Sequence, residues 1–284
     1  MKVVNTVKDL KAELQSFRDN GQSIGLVPTM GALHAGHASL VSRSVKENDI
    51  TVVSIFVNPT QFNDKSDLEK YPRTLDKDCQ LLQEISDNII VLAPSVSEMY
   101  PEPDTRHFSY PPTDEVMEGQ YREGHFNGVC QIVSKLFMFV EPTRAYFGEK
   151  DFQQIAVIKR MVADQQYPLE ICPCPIVRES DGLALSSRNT LLSDSERKIA
   201  LNISKNLFAS LEYAKEHTLS ETKQWVIDQI NAVEGLEVQY YEIVDGNSLA
   251  SLTEWDDSDY IVGCITVFCG AIPVRLIDNI KYKA

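Results

Sequence analysis

The sequence predicts an α/β protein in which a doubly wound parallel sheet is followed by a smaller α+β domain. Over residues 1–177, strand-like apolar runs alternate with amphipathic segments, which is typical of parallel strands joined by covering helices. Over residues 178–284, helical patterns come first and strand patterns follow, which favours an antiparallel sheet. A chain of 284 residues is long enough to build both cores.

The first domain is expected to alternate strands with helices along its whole length. The predicted strands are Ser23 to Val27, Ile50 to Val57, Asn88 to Leu92, Ala145 to Phe147 and Glu170 to Ile176. The predicted helices are Val7 to Asn20, His37 to Asn48, Leu75 to Ser86, His125 to Phe139 and Phe152 to Gln165. Ligands bind such sheets beyond the carboxyl ends of the strands, so residues directly after a strand are the first candidates for a site.

The second domain is expected to begin within a polar, glycine-containing stretch at residues 177–193, with the boundary after residue 177. That stretch ends at Ser193-Asp-Ser-Glu196, which resembles a helix N-cap followed by acidic first-turn residues. Helical patterns then cover residues 194–215 and 220–233, and strand patterns cover 238–244, 260–268 and 274–277.

Charge and composition exclude several classes of function. The chain carries 41 acidic and 27 basic residues, and a net charge of −14 repels nucleic acid and anionic membranes. No apolar run approaches the roughly 20 residues of a membrane span, and the N-terminus does not resemble a secretory leader. We therefore expect a cytoplasmic protein that binds neither nucleic acid nor membrane. The six cysteines lack disulfide-scaffold or C-x-x-C spacing and are expected to be buried thiols.

The most informative segment is the turn and helix start after the first predicted strand. His34 and His37 stand in Val27-Pro-Thr-Met-Gly-Ala-Leu-His-Ala-Gly-His37, where they open the next helix. A helix N-terminus attracts phosphate, and Gly31 and Gly36 let a ligand approach the backbone. Two imidazoles there can donate hydrogen bonds to phosphate oxygens. An H-x-x-H pair alone is equally compatible with surface residues or half a zinc site, but the strand-turn-helix setting favours the phosphate site.

Three further segments carry polar side chains at turns. Asn58 and Gln61 place two amides after the second predicted strand, and Lys150 stands in Gly148-Glu-Lys-Asp151 after another. Leu185-Ser-Ser-Arg188 supplies hydroxyl and guanidinium donors near the domain change. Each segment alone also fits an ordinary turn, a surface ion pair or a solvated loop. Neither G-x-G-x-x-G nor a P-loop motif occurs, so the usual dinucleotide and P-loop fingerprints are missing.

Five ordered segments between residues 28 and 189 resemble the family of pantothenate synthetases, in the HIGH-motif nucleotidyltransferase superfamily. They are the histidine segment, Phe56-Val-Asn-Pro-Thr-Gln-Phe62, Gly124-His-Phe-Asn-Gly-Val129, Tyr146-Phe-Gly-Glu-Lys-Asp-Phe-Gln-Gln154 and Asp181-Gly-Leu-Ala-Leu-Ser-Ser-Arg-Asn189. The resemblance implies a Rossmann-like ATP- and pantoate-binding domain over residues 1–177 and a C-terminal α+β lid domain over residues 178–284.

The same resemblance implies a reaction, its substrates and an assembly. ATP drives the condensation of (R)-pantoate with β-alanine to pantothenate through a pantoyl adenylate, releasing AMP and pyrophosphate. ATP and Mg²⁺ are required, the other substrates are small molecules, and the enzyme is a homodimer. No metal ligand on the protein is assigned.

Residue roles are also carried over from the resemblance, position by position. The implied catalytic residues are His34, His37, Lys150 and Arg188. The implied ATP-binding residues are Met30, Gly31, Ala32, Leu33, His34, Ala35, Gly36, His37, Gly148, Glu149, Lys150, Asp151, Val177, Leu185, Ser186, Ser187 and Arg188. The implied substrate-binding residues are Gln61, Gln154, Asn58 and Arg122. Leu185 departs from the Met or Lys expected there.

Several assignments stay open on the sequence alone. Arg122 matches an arginine near the pantoate or phosphate end but also fits a surface position, and His125 is expected to begin a core helix. An adenylyltransferase of coenzyme biosynthesis would share the histidine motif, but its phosphorylated acceptor would require basic groups where Gln61 and Gln154 stand. A non-catalytic nucleotide-sensing protein would keep the fold without needing both histidines and Lys150.

Overall fold

The chain forms two sheets, each in its own compact unit. The computed structural model describes residues 1–63 and 65–284, except for the side chain of residue 65. One unit comprises Met1–Glu149 and Val157–Pro175, and the other comprises Lys150–Ala156 and Ile176–Ala284. The domain boundary expected after residue 177 stays a prediction.

The sheet of the first unit confirms the predicted doubly wound architecture. Its strands are β1 (Lys2–Val4), β2 (Ile24–Thr29), β3 (Ile50–Ile55), β4 (Ile89–Leu92), β5 (Arg144–Gly148) and β6 (Glu170–Cys174). They pair in the order β1-β4-β3-β2-β5-β6, and every pair is parallel. From β2 the order runs through β3 and β4 to one side and through β5 and β6 to the other, with β1 added at the edge beside β4. The switch point where such folds bind ligands therefore lies between β2 and β5.

Helices connect these strands. They are α1 (Val7–Asp19), α2 (Ala35–Glu47), α3 (Lys65–Lys70), α4 (Leu75–Ile85), α5 (Val96–Met99), α6 (Glu118–Tyr121), α7 (His125–Val140) and α8 (Phe152–Asp164). The ends of the predicted strands and helices agree within two residues. The sequence missed β1, α3, α5 and α6 because segments of three to six residues are too short to show a period.

The packing of α2 on the sheet fixes the position of its first turn. The helix buries Leu40 and Val41 in a core shared with Val27 of β2 and Val53 of β3. A Cβ at Gly25 would lie 2.1 Å from the Ser44 hydroxyl, so only glycine at this position of β2 permits the close approach. The helix start is therefore held firmly beyond the carboxyl end of β2.

The second unit packs two helices on an antiparallel sheet, as predicted. The helices are α9 (Asp194–Tyr213) and α10 (Leu219–Asn231), and the strands pair in the order β7 (Leu236–Asp245), β8 (Ile261–Cys269), β9 (Val274–Lys283). The predicted cap of α9 is confirmed, since the Ser193 hydroxyl accepts the Glu196 N–H at 3.3 Å and the Glu196 carboxylate accepts the Ser193 N–H at 2.9 Å. Strand β9 extends past the predicted end because Asp278 and Asn279, though polar, are buried in it.

The burial of the cysteines agrees with the expectation from their spacing, except at Cys79. All six cysteines are free thiols, and all but Cys79 are buried. Burial raises the pKa of Cys130 to about 12 and that of Cys172 to about 11, so both remain protonated at neutral pH. Among the described residues, none of the helices combines the length and apolarity that crossing a membrane requires.

Candidate functional site

A tight turn leads from β2 to the two histidines. Gly31 and Ala32 both adopt positive φ angles, 80° and 49°. A Cβ at position 31 would lie 3.1 Å from a carboxylate oxygen of Asp78 and 3.1 Å from a methyl group of Ile55, so glycine suits this turn for both its conformation and its size. The predicted ATP-binding residues Met30 to Gly36 follow one another through this turn into the first residues of α2.

A buried carboxylate on α4 holds the turn in place. Asp78 is 2% exposed, and it accepts the Leu33 N–H at 2.8 Å and the Ala32 N–H at 3.0 Å. The Thr74 hydroxyl donates a further bond to it at 3.1 Å. Sequence reasoning missed Asp78, because its only signal was an acidic residue in the first turn of a helix.

The histidines confirm the predicted helix start and define its chemistry. His34 is the N-cap of α2, and its Nδ1 accepts the Gly36 N–H at 3.1 Å. The Nδ1 of His37 accepts the His34 N–H at 3.3 Å, and the ring centroids lie 4.1 Å apart. Because a backbone N–H only donates, each Nδ1 is an acceptor, and each neutral ring carries its proton on Nε2. Two ring N–H donors at a helix N-terminus suit phosphate oxygens.

The amides predicted after β3 lie in a short 3-10 turn, Pro59–Gln61, and at the residue before it. Asn58 is 1% exposed and donates from Nδ2 to the Gly128 carbonyl and to Gln61 Oε1, both at 3.1 Å. Gln61 donates from Nε2 to the sulfur of Met30 at 3.3 Å. The structure therefore brings Gln61 against the turn that leads to the histidines.

Arg122 and His125 approach Gln61 through its backbone. His125 begins α7, as predicted, and its Nδ1 donates to the Gln61 carbonyl at 2.9 Å. Arg122 lies 3.2 Å from His125 Nε2, 3.4 Å from the same carbonyl and 3.6 Å from the Glu118 carboxylate. This network fixes the Gln61 backbone, and no sequence pattern links groups that lie 64 residues apart.

The second unit includes the segment Lys150–Ala156. Lys150 is the middle residue of a 3-10 turn, Glu149–Asp151, and its ammonium lies 3.6 Å from the Asp151 carboxylate. Its carbonyl oxygen accepts a bond from Asn279 of β9 at 3.2 Å. Gln154 lies in the first turn of α8, which begins two residues before it.

The predicted Ser-Ser-Arg segment forms another 3-10 turn, Ser187–Leu191. Ser186 caps it, since its hydroxyl accepts the Arg188 N–H at 3.3 Å, and the Leu185 N–H donates to the Val177 carbonyl at 3.0 Å. The structure therefore brings together Val177 and Leu185, two of the predicted ATP-binding residues, at the two ends of the loop between them.

An ion pair with a buried carboxylate anchors the base of that loop. The Arg178 guanidinium binds both carboxylate oxygens of Asp278 at 2.6 and 2.8 Å and the Gly182 carbonyl at 3.2 Å. Burial raises the pKa of Asp278, and the Arg178 pair opposes that rise. Sequence reasoning missed this pair, because its members lie 100 residues apart.

Comparisons with known proteins agree along the whole chain. The sequence profile described as pantoate-beta-alanine ligase matches residues 2–281. Relatives named pantothenate synthetase include one from Phocaeicola vulgatus, 66% identical over 284 residues and fully covered in both chains, and one from Porphyromonas gingivalis, 57% identical over 283 residues and also fully covered.

Solved structures agree with the fold of the chain. A crystal structure of pantothenate synthetase from Thermus thermophilus has a TM-score of 0.92 at 40% identity, with both chains fully covered. Pantoate-beta-alanine ligase from Francisella tularensis, solved in complex with beta-gamma ATP and beta-alanine, has a TM-score of 0.81 at 34% identity, covering 99% of this chain and 98% of that one. The histidine turn, the paired amides and these matches lead to one conclusion: the chain belongs to the pantoate–β-alanine ligase family.

Proposed function

We propose that this ATP-dependent ligase joins pantoate to β-alanine in two steps, through a pantoyl adenylate formed beside the histidine turn. The observation that carries the proposal is the pair of Nε2–H donors that His34 and His37 present at the N-terminus of α2. Family membership supports the ligase over an adenylyltransferase or a nucleotide-sensing protein.

In the first step the pantoate carboxylate attacks the α-phosphorus of ATP, and pyrophosphate leaves. His34 and His37 donate to the phosphate oxygens from Nε2, and Lys150 and Arg188 offset the charge that develops there. The remaining ATP contacts are proposed at Met30, Gly31, Ala32, Leu33, Ala35, Gly36, Gly148, Glu149, Asp151, Val177, Leu185, Ser186 and Ser187. Catalysis here consists of positioning and charge stabilisation.

Gln61 and Gln154 are proposed to hold pantoate. An amide binds a carboxylate or hydroxyl oxygen without adding charge, so the nucleophile keeps its reactivity. For Asn58 and Arg122, predicted as substrate contacts, the observed bonds to Gln61 support a role beside that residue.

In the second step the β-alanine amine attacks the acyl carbon, and AMP leaves. This step needs no enzyme nucleophile, which agrees with thiols kept protonated by burial, such as Cys130 and Cys172. The relative from Francisella tularensis binds beta-gamma ATP and beta-alanine, which supports the same substrates for this chain.

Mg²⁺ is proposed to enter as part of the ATP substrate. Among residues 1–63 and 65–284, no group of three or more His, Cys, Asp or Glu side chains is arranged to hold a metal ion. Mg²⁺ gives up its water ligands reluctantly and is often held by substrate phosphates, so we propose no ligand for it on the protein. The family resemblance also supports a cytoplasmic homodimer, and light scattering on the purified protein would test the dimer.

Pyrophosphate exchange tests the first step. With Mg²⁺ and pantoate present and β-alanine absent, labelled pyrophosphate should enter ATP. Exchange that requires β-alanine would contradict an adenylate formed before the amine reacts.

Two substitutions at His37 separate its two ring nitrogens. His37→Asn keeps an acceptor near the Nδ1 position for the helix start but removes the Nε2 donor, so exchange should fall by roughly 10²-fold. His37→Gln places an amide N–H near the Nε2 position and should retain more exchange than His37→Asn. His107→Asn, at an exposed histidine, is the control. Equal pyrophosphate exchange rates in the wild type and His37→Asn would show that His37 does not contribute to the phosphate site.

A further inference from the structure

A chain of hydrogen bonds in the first unit runs from a tyrosine hydroxyl to the Gln61 side chain. Tyr100 follows α5 and donates from its hydroxyl to Asn58 Oδ1 at 2.8 Å. Asn58 then donates from Nδ2 to Gln61 Oε1 at 3.1 Å, and Gln61 donates from Nε2 to the sulfur of Met30 at 3.3 Å. Each side chain between the Tyr100 phenol and Met30 therefore has a defined donor side and a defined acceptor side.

The donor and acceptor roles in this series of hydrogen bonds are fixed at Asn58. Its Nδ2 lies 3.1 Å from the Gly128 carbonyl oxygen, which only accepts, so the nitrogen must face that oxygen. Its Oδ1 is then left to accept from the hydroxyls of Tyr100, at 2.8 Å, and Thr60, at 3.2 Å. Asn58 is 1% exposed, so water cannot replace a lost partner without entering the core. Gln61 consequently turns its oxygen to Asn58 and its NH₂ group away from it.

We propose that Tyr100 is a positioning residue that acts through Asn58 to hold the Gln61 amide as a hydrogen-bond donor to a substrate oxygen. The inference rests on the proposed function, in which Gln61 binds pantoate. A carboxylate accepts bonds and cannot donate, so an amide whose NH₂ group faces the ligand matches it, whereas an inverted amide would place oxygen against oxygen.

The surroundings of Tyr100 hold its hydroxyl in place. The Phe56 ring lies 6.3 Å from the tyrosine ring, and the Lys135 ammonium lies 5.1 Å from the centroid of that ring. Lys135 is itself held 3.4 Å from the Asp104 carboxylate. Burial raises the pKa of the phenol, so the hydroxyl stays protonated and donates to Asn58.

The substitution Tyr100→Phe removes only the hydroxyl. Pantoate affinity measured by calorimetry should fall about five- to tenfold, as expected for one lost hydrogen bond, while ATP affinity should stay within about twofold. Tyr146→Phe is the matched control. Its hydroxyl donates to Glu47 and accepts from Asn48, both at 2.8 Å, and neither partner belongs to the Gln61 hydrogen-bond chain, so pantoate affinity should not change.

A double substitution separates positioning from general structural support. In a Gln61→Ala background, Tyr100→Phe should weaken pantoate binding no further, because the group through which it acts is gone. An additional loss equal to that in the wild-type background would overturn the inference, as would unchanged pantoate affinity in the single variant.

Replacing the Asn58 amide nitrogen by an oxygen gives an independent test of the direction of these hydrogen bonds. Asn58→Asp places an oxygen opposite the Gly128 carbonyl and Gln61 Oε1, so pantoate affinity should fall more than in Tyr100→Phe. Equal or smaller loss would contradict the proposed direction of the chain. Failure of the proposed function is distinguishable, because the wild-type protein would then show no pantoate-dependent pyrophosphate exchange.

Discussion

Replacing Asp78 by asparagine should loosen the turn that carries the histidines. The carboxylate accepts two backbone N–H groups, from Ala32 and Leu33, and the Thr74 hydroxyl. Asparagine keeps one acceptor oxygen and points an NH₂ group at the other backbone N–H, so one hydrogen bond is replaced by a contact between two donors. The turn needs this support because Ala32 adopts a φ of 49° without being glycine.

The size of the effect follows from the loss of a charged acceptor. A hydrogen bond to a charged group contributes about 1.5 to 3 kcal/mol. Because one such bond is lost, we expect the free energy of unfolding to fall by about 1.5 to 3 kcal/mol. The KM for ATP should rise and pyrophosphate exchange should fall by at least about tenfold, since small displacements of a catalytic donor are costly.

Urea denaturation and exchange rates measured on the same preparations would check both effects. Asp76→Asn, at an exposed carboxylate on the same helix, removes the same charge and should leave both quantities near the wild-type values. If Asp78→Asn unfolded at the wild-type urea concentration with an unchanged KM for ATP, the turn would not depend on this carboxylate.

Three further predictions concern the Arg106–Asp104 ion pair, the glycine beside Asn58 and Gln61, and Lys150. The Arg106 guanidinium lowers the pKa of Asp104 from 3.8 to about 2, so its stabilising contribution of about 2 kcal/mol is present above about pH 4 and lost as pH falls toward 2. Urea denaturation across that range should show the difference in the free energy of unfolding between the wild type and Asp104→Asn shrinking as the pH falls. A constant difference would contradict the pairing. Gly128→Ala would place a Cβ 2.3 Å from the Thr60 carbonyl, so calorimetry should show weaker pantoate binding with little change for ATP; unchanged pantoate binding would disprove the contact. Lys150→Ala should abolish pyrophosphate exchange yet leave pre-made pantoyl adenylate partly reactive with β-alanine. An exchange rate equal to that of the wild type would show that Lys150 takes no part in the first step.

Local periodicity explains why most of the fold was predictable. Strands such as β4 are buried along their whole length and read as continuous apolar runs, whereas helices such as α1 repeat their buried apolar residues, Leu10 and Leu14, on one face. The helix start at His34 was predictable because a strand, a turn and a helix adjoin in the sequence. The edge strand β1 was missed because only Val4 of its three residues is buried.

Groups that support the site from a distance were not predictable. Asp78 meets Leu33 across 45 residues and Tyr100 meets Asn58 across 42, distances at which sequence patterns carry no information about contact. Both are polar side chains whose burial is decided by tertiary packing, and an isolated Asp or Tyr in a sequence predicts a surface position at least as readily. Asp278 is a third case, since its burial depends on Arg178.

The backbone passes between the two units three times, because Lys150–Ala156 packs with the second unit while the strand before it and most of α8 pack with the first. No single cut of the polypeptide can therefore yield both units intact. A fragment ending at residue 175 would retain the sequence of Lys150 and Gln154 but lack Asn279, which binds the Lys150 carbonyl, and Tyr260, whose ring meets Phe152 at 6.0 Å. Split-protein designs and fragment expression are consequently expected to succeed only if the two pieces are produced together and associate.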